Sequence, residues 1–170
     1  MKHQRILELT VLALLGALMF GLKISMAALP NIEPVSLLVL VYTAVFGRKA
    51  LYAIYTYVLL EILLFGLGLW NLNYLYVWFL LYLLCRVLKS MGTRWGWAIL
   101  SGAFGLAFGL LCTPIYMITG GFFFGLSWWV SGIPFDVLHC AGNFVLALVL
   151  YVPLKTGLLR LKGRYLPESS

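Results

Sequence analysis

Charge is scarce in this chain, and negative charge is scarcest. Of 170 residues only 5 are Asp or Glu and 12 are Lys or Arg, whereas 64% are apolar and the mean hydropathy is +1.03. Soluble domains carry about a quarter of their residues charged, so a fold built round one aqueous core is excluded and the bilayer is the expected solvent. Cysteine is nearly absent as well. Cys85, Cys112 and Cys140 are odd in number, lie in or beside apolar runs and show no C-x-x-C spacing, which excludes a disulfide framework and a zinc or redox motif and leaves them as packing residues. No Walker A sequence, no H-E-x-x-H and no activated Ser nucleophile occurs, so ATP hydrolysis by a P-loop, zinc proteolysis and Ser-type acyl transfer find no footing here.

The basic residues that are present are ordered. Eleven of the twelve form four clusters, Lys2/Arg5, Arg48/Lys49, Arg86/Lys89/Arg94 and Lys155/Arg160/Lys162/Arg164, separated by apolar stretches, and Lys23 stands alone between the first two. A net charge of +7 suits nucleic acid in a soluble protein, but here the cations cap apolar runs, where anionic headgroups and the positive-inside bias account for them. Basic residues resist translocation, so this alternation predicts an all-α integral membrane protein of six transmembrane helices with both termini cytoplasmic, residues 1–170 forming one domain in a bacterial plasma membrane.

The spans read as Ile6–Ala27, Pro34–Phe46, Leu51–Trp70, Asn73–Leu88, Trp97–Ile118 and Ser127–Leu154. Lys2 and Arg5 before an apolar run, with Ser25-x-Ala27 behind it, resemble a signal peptide; the run exceeds a usual h-region and contains Lys23, so a retained span is expected. The second span would reach only about 18 Å, a length suited to a re-entrant or protein-buried segment. A re-entrant path would flip every later segment and scatter the basic clusters, so six crossings are expected. The polar connection 27–34 must then enter the outer half of the membrane, where irregular backbone survives only beneath protein or beside a water-filled bay. The alternative is a plain surface loop with helix capping from Asn31 or Glu33.

Glu61 sits midway along the third span and Asp136 in the outer half of the sixth. An acid inside a span costs about 2.5–3.5 kcal/mol on insertion scales and asks for a partner or a function. Asp136, His139, Cys140 and Asn143 follow i, i+3, i+4, i+7 spacing and share one helical stripe. Interhelical hydrogen bonds and a ligand site both explain such a stripe. Polar and aromatic residues are expected at the same depth from three connections: Lys23, Asn31 and Glu33; Trp70, Asn71, Asn73, Tyr74 and Trp78; Tyr116, Trp128 and Trp129. These aromatics fit a headgroup belt or a stacking surface for a flat ligand. The stretch 119–125, with three glycines and Phe122, Phe123 and Phe124, reads as a lid over a cavity or as a membrane-dipping loop. Small residues at Ala13, Ala17 and Gly21, and at Ala98, Gly102, Gly105 and Gly109, mark close helix contacts, within the bundle or with a partner.

With those residues in place, the chain resembles the substrate-binding S-component of energy-coupling-factor (ECF) vitamin transporters. The likeness runs over nearly the whole chain: six expected spans, Ala13-x-x-x-Ala17, the run Asn31-Ile32-Glu33-Pro34-Val35-Ser36, and Gly132-Ile133-Pro134-Phe135-Asp136-x-x-His139-Cys140-x-Gly142-Asn143-Phe144. The resemblance implies a subunit that is not itself an enzyme: it captures a vitamin or related small organic molecule at the outer face and delivers it by docking to a transmembrane coupling subunit and two ATPase subunits, which use the ATP. It implies docking through Ala13, Ala17 and Gly21, and gates in the first and last outer connections. Substrate contacts are expected from Asn31, Glu33, Glu61, Asn73, Trp78, Trp128, Asp136, His139 and Asn143, with the acids on a cationic or donor-rich group and the tryptophans stacking. An excess of acids over outward Lys argues against a dianion; a vitamin B12-type compound or nucleoside-like precursor is the working candidate. No metal or cofactor is expected. The rival readings are a structural membrane protein similar to the six-span cell-shape protein MreD, and an integral-membrane lipid-modifying enzyme using Asp136 and His139 as acid and base. A receptor should hold a cavity lined by Glu61 and Asp136, and a scaffold should fill that space with side chains.

Overall fold

A computed structural model describes the backbone of residues 2–29 and 32–166 and side chains from Gln4 onward in these segments. Asn31 lies outside the described residues. Those described are helical and contain no strand: α1 Lys2–Ser25, α2 Val35–Phe46, α3 Ala50–Phe65, α4 Leu69–Val87, α5 Arg94–Gly120 and α6 Phe122–Tyr165, with a 3₁₀ turn Gly47–Lys49 between α2 and α3. Four stretches among them are long and apolar enough to cross a membrane: Gln4–Ser25, Val35–Phe65, Arg94–Gly120 and Phe122–Tyr165. The third span read from the sequence is cut short, since α3 ends at Phe65; the fourth starts earlier, at Leu69; and the last begins five residues earlier and runs eleven residues further than its apolar core.

Contacts across the bundle give the helices alternating directions. Lys23 near the end of α1 meets Glu61 near the end of α3 and lies 5.1 Å from the Tyr74 ring early in α4. At the other pole Glu8 of α1 meets Lys49, the last residue of the turn ahead of α3. Trp70 and Trp78 of α4 pack on Phe108 of α5, and Tyr116 late in α5 stacks on Trp128 early in α6. One pole therefore gathers Lys23, Glu33 and Glu61, and the other gathers Arg48, Lys49 and Arg86.

Helix α2 occupies the middle. Every residue but Ala44 is buried, which is why a 12-residue helix with Val, Leu and Tyr on all sides is stable: neighbouring helices, not lipid, cover it. Gly47, at φ 58°, ends it in a conformation that a side chain would strain.

The 119–125 stretch is not a lid. Helix α5 continues to Gly120, α6 starts at Phe122, and Gly121 alone, at φ 87°, reverses the chain. A residue without Cβ makes that turn in one step, so Phe122, Phe123 and Phe124 form the first turn of α6 and project outward. Likewise the connection between α3 and α4 is only 66–68, and Trp70, Asn71, Asn73 and Tyr74 are helical.

The glycines of α5 turn inward onto α6. A Cβ on Gly105 would stand 2.8 Å from the His139 carbonyl, and on Gly102 3.1 Å from Phe144 Cβ. In contrast, Ala13, Ala17 and Gly21 are exposed on α1. The contact α1 makes inside the bundle runs through Leu12, Gly16 and Met19, with Gly16 against Ala53 and Thr56 of α3.

Candidate functional site

The polar residues at the Lys23 pole fall into two groups joined by Glu33. In the first, Lys23 Nζ donates to both oxygens of Glu61 at 2.8 Å, inside a wall made by the rings of Phe65 and Tyr74. Glu61 is 1% exposed, and Lys23 is the partner that offsets the cost of burying its carboxyl. Tyr57 lies one turn before Glu61 on the same face of α3 and packs on Tyr74 and Trp78.

In the second group, His139 Nε2 stands 3.9 Å from Glu33 Oε1. That separation is too long for a hydrogen bond and close enough for one to form with a small shift. Glu33 belongs to the connection ahead of α2. Burial pushes its carboxyl up from 4.5 to about 7; Lys23 pulls it down and Glu61 pushes it up further. The His139 ring meets Phe108 edge-on at 4.9 Å, and Phe108 packs on Trp78 at 5.5 Å. A continuous aromatic band of Phe108, Trp78, Tyr74 and Tyr57 thus runs from the imidazole to the Lys23–Glu61 pair.

Asp136 and Asn143 occupy the same stripe of α6 but tie helices together. Asp136 Oδ1 accepts the Gly109 N–H at 3.0 Å, and its carboxylate fills the place a side chain at 109 would need. Asn143 Nδ2 donates to Ser36 Oγ at 3.0 Å and lies 3.4 Å from the Ser101 carbonyl, joining α6 to α2 and α5. Buried polar atoms without a hydrogen-bond partner on these groups include Tyr57 Oη, Trp78 Nε1, Ser101 Oγ, Asp136 Oδ2, His139 Nε2 and Asn143 Oδ1. Unpaired buried polar atoms are costly and uncommon, and they cluster where water or a ligand completes the set.

Two expected site residues have their contacts elsewhere. Asn73 Nδ2 donates to the Leu69 carbonyl, and its Oδ1 is 2.9 Å from the Tyr76 hydroxyl, which also reaches the Leu111 carbonyl at 2.6 Å; this is a tie between α4 and α5. Trp128 stacks on Tyr116 with ring centroids 4.0 Å apart. Sequence reading passed over Tyr57, Phe108 and Gly16, and named Ser36 only as part of the run into α2. The i, i+4 spacing of Tyr57 and Glu61 was the available signal for the first. Among the described residues no three His, Cys, Asp or Glu side chains are placed to hold a metal ion.

No known protein family, curated protein or solved structure matches the chain.

Proposed function

We propose that this chain is the substrate-binding S-component of an ECF-type importer in a bacterial plasma membrane, crossing it six times with both termini inside. The basic clusters at one pole and the single, ion-paired Lys23 at the other support that orientation under the positive-inside rule. The observation that carries the reading is Glu33. A short connection, the kind of element that can open, brings an acid to within 3.9 Å of His139 and into the field of Lys23 and Glu61. A small molecule entering there would exchange the protein's own partners for its own: donors or a positive charge against Glu33 and Glu61, a flat ring against Trp78 or Tyr74, and polar edges to the unpaired, buried Trp78 N–H and His139 nitrogen. Asp136 and Asn143 then act mainly by holding α6 in register, with Asp136 Oδ2 free to accept. The coupling subunit would dock on the exposed Ala13, Ala17 and Gly21 face, and its two ATPase partners would supply the energy.

A second reading has its own observation. Lys23 and Glu61 satisfy each other, and Trp78 is fully enclosed by aromatic neighbours, a filled interior of the kind a MreD-like scaffold would have. A lipid-modifying enzyme gains nothing comparable, since Asp136 and His139 are 6% and 3% exposed. The test is to purify the protein from its host, denature it and identify released small molecules by mass spectrometry. A receptor yields one small organic molecule in near-stoichiometric amount, and Glu33→Gln lowers its recovery. A scaffold yields none, and deleting its gene alters cell shape and leaves vitamin uptake intact.

A further inference from the structure

On the outside of α3 a groove of about 650 Å³ runs from Arg48 and Lys49, past Tyr52 and Tyr55, to Leu59. Helix α1 flanks one side, through the Glu8–Lys49 pair and Gly16 against Thr56; α4 flanks the other, through the Tyr55 hydroxyl bonded to the Leu75 carbonyl at 3.0 Å. We infer that this groove binds one anionic phospholipid of the leaflet on the basic side, its phosphate at Arg48 and an acyl chain along Tyr52, Tyr55 and Leu59.

Charge selects the headgroup. Glu8 is engaged by Lys49 at 2.7 Å, whereas Arg48 is exposed and the Arg86 guanidinium lies beside Gly47, so the mouth of the groove keeps positive charge at the level where anionic lipids carry theirs. Shape and chemistry select the tail. The Thr56 hydroxyl is committed to the Tyr52 carbonyl at 2.8 Å and the Tyr55 hydroxyl to Leu75, so rings and methyl groups line the wall. From Leu51 to Leu59 the wall extends about 12 Å at 1.5 Å per residue, most of the depth of one leaflet. Tyr52 and Leu59 are both more than half exposed, and the groove volume falls in the range of small-molecule sites.

The test uses the full-length protein in detergent, given dioleoylphosphatidylglycerol or dioleoylphosphatidylcholine, with bound lipid counted by native mass spectrometry. One phosphatidylglycerol should be retained in preference to phosphatidylcholine. Arg48→Gln should lower its retention about fivefold and leave phosphatidylcholine unchanged. Leu59→Trp, which fills the groove from a lipid-facing position, should displace the lipid while the thermal melt keeps its midpoint. Glycerol 3-phosphate should not compete, because it lacks the chain the groove holds. Equal retention of the two lipids, indifference to either substitution, or competition by glycerol 3-phosphate would overturn the assignment. So would a change in self-association on Leu59→Trp, which would give the groove to a second copy of the chain.

Discussion

At the level of single residues, the question is how so few acids are kept where lipid and aromatic rings surround them. Glu61 is kept by Lys23, and the pair is asymmetric in what its loss does: removing one partner strands the other charge, whereas removing both strands nothing. Glu61→Gln is expected to destabilise the protein by about 3 kcal/mol, and Lys23→Met combined with Glu61→Gln to restore most of that loss, as read from thermal unfolding in detergent. If the double variant melts as low as the single one, the pair is not what holds those groups. Glu33 offers a sharper measurement because its proton is in play near neutrality. Its carboxyl titrates at about 7 folded against 4.5 unfolded, so the folded form holds the proton through that window. Stability is therefore full below about 4.5 and declines as pH rises through about 7, by on the order of 3 kcal/mol. Melting temperature should fall between about pH 5 and pH 8, and Glu33→Gln should flatten that slope; equal slopes would remove Glu33 from the polar cluster. These acids were legible because a charge within an apolar run stands out. Tyr57 and Phe108 were not, since one aromatic among 11 Phe, 10 Tyr and 6 Trp carries no mark of which face it takes.

Among the elements, α5 and α6 form the closest pairing, and it is closest where α5 has no side chains. Gly105 lets the His139 carbonyl and Asn143 Nδ2 approach to 2.8 and 2.9 Å of where its Cβ would be. Gly105→Ala must push the helices apart at the level of His139, and is expected to cost about 1–3 kcal/mol. Gly21→Ala meets nothing within 4 Å and should be silent in the same melt. If the two substitutions have equal effects, the glycine stripe of α5 is not a packing seam. The Gly-x-x-x-Gly spacing made a seam legible, but left open whether it lay inside the bundle or against a partner; only the placement of α6 decides that. The reverse error occurred at 119–125. Glycines beside phenylalanines look like a loop, yet a single positive-φ glycine joins two helices, and the propensity of a short segment says nothing about how little chain a turn needs. Helix α2 shows the complementary case: its shortness was plain, and its burial on every side was what that length implied.

On the scale of the whole molecule, alternating helix directions separate a basic pole from one where the Lys23 charge is matched, and that separation was readable because Lys and Arg fall in clusters that alternate with apolar runs. The partner surface was readable only in part. Small residues at four-residue spacing exist on both α1 and α5, but α5 spends its stripe on α6, and α1 turns Leu12, Gly16 and Met19 inward, leaving Ala13, Ala17 and Gly21 uncovered. A face of small side chains contributes little to lipid packing and permits close approach of another helix, so it is the surface where a membrane partner gains most. The consequence can be measured by separating binding from coupling. Ala13→Trp or Ala17→Trp places a bulky ring on a side of α1 that touches no other helix, so the melt and ligand retention should match the parent protein. Association with the proposed coupling subunit and ATPases, followed by co-purification from cells, should be lost, and uptake with it. Complexes that form normally with either Trp in place would show that α1 does not dock. Loss of ligand retention as well would show that α1 reaches the site through the bundle, and Lys23, on the same helix and paired with Glu61 of α3, would be the place to look.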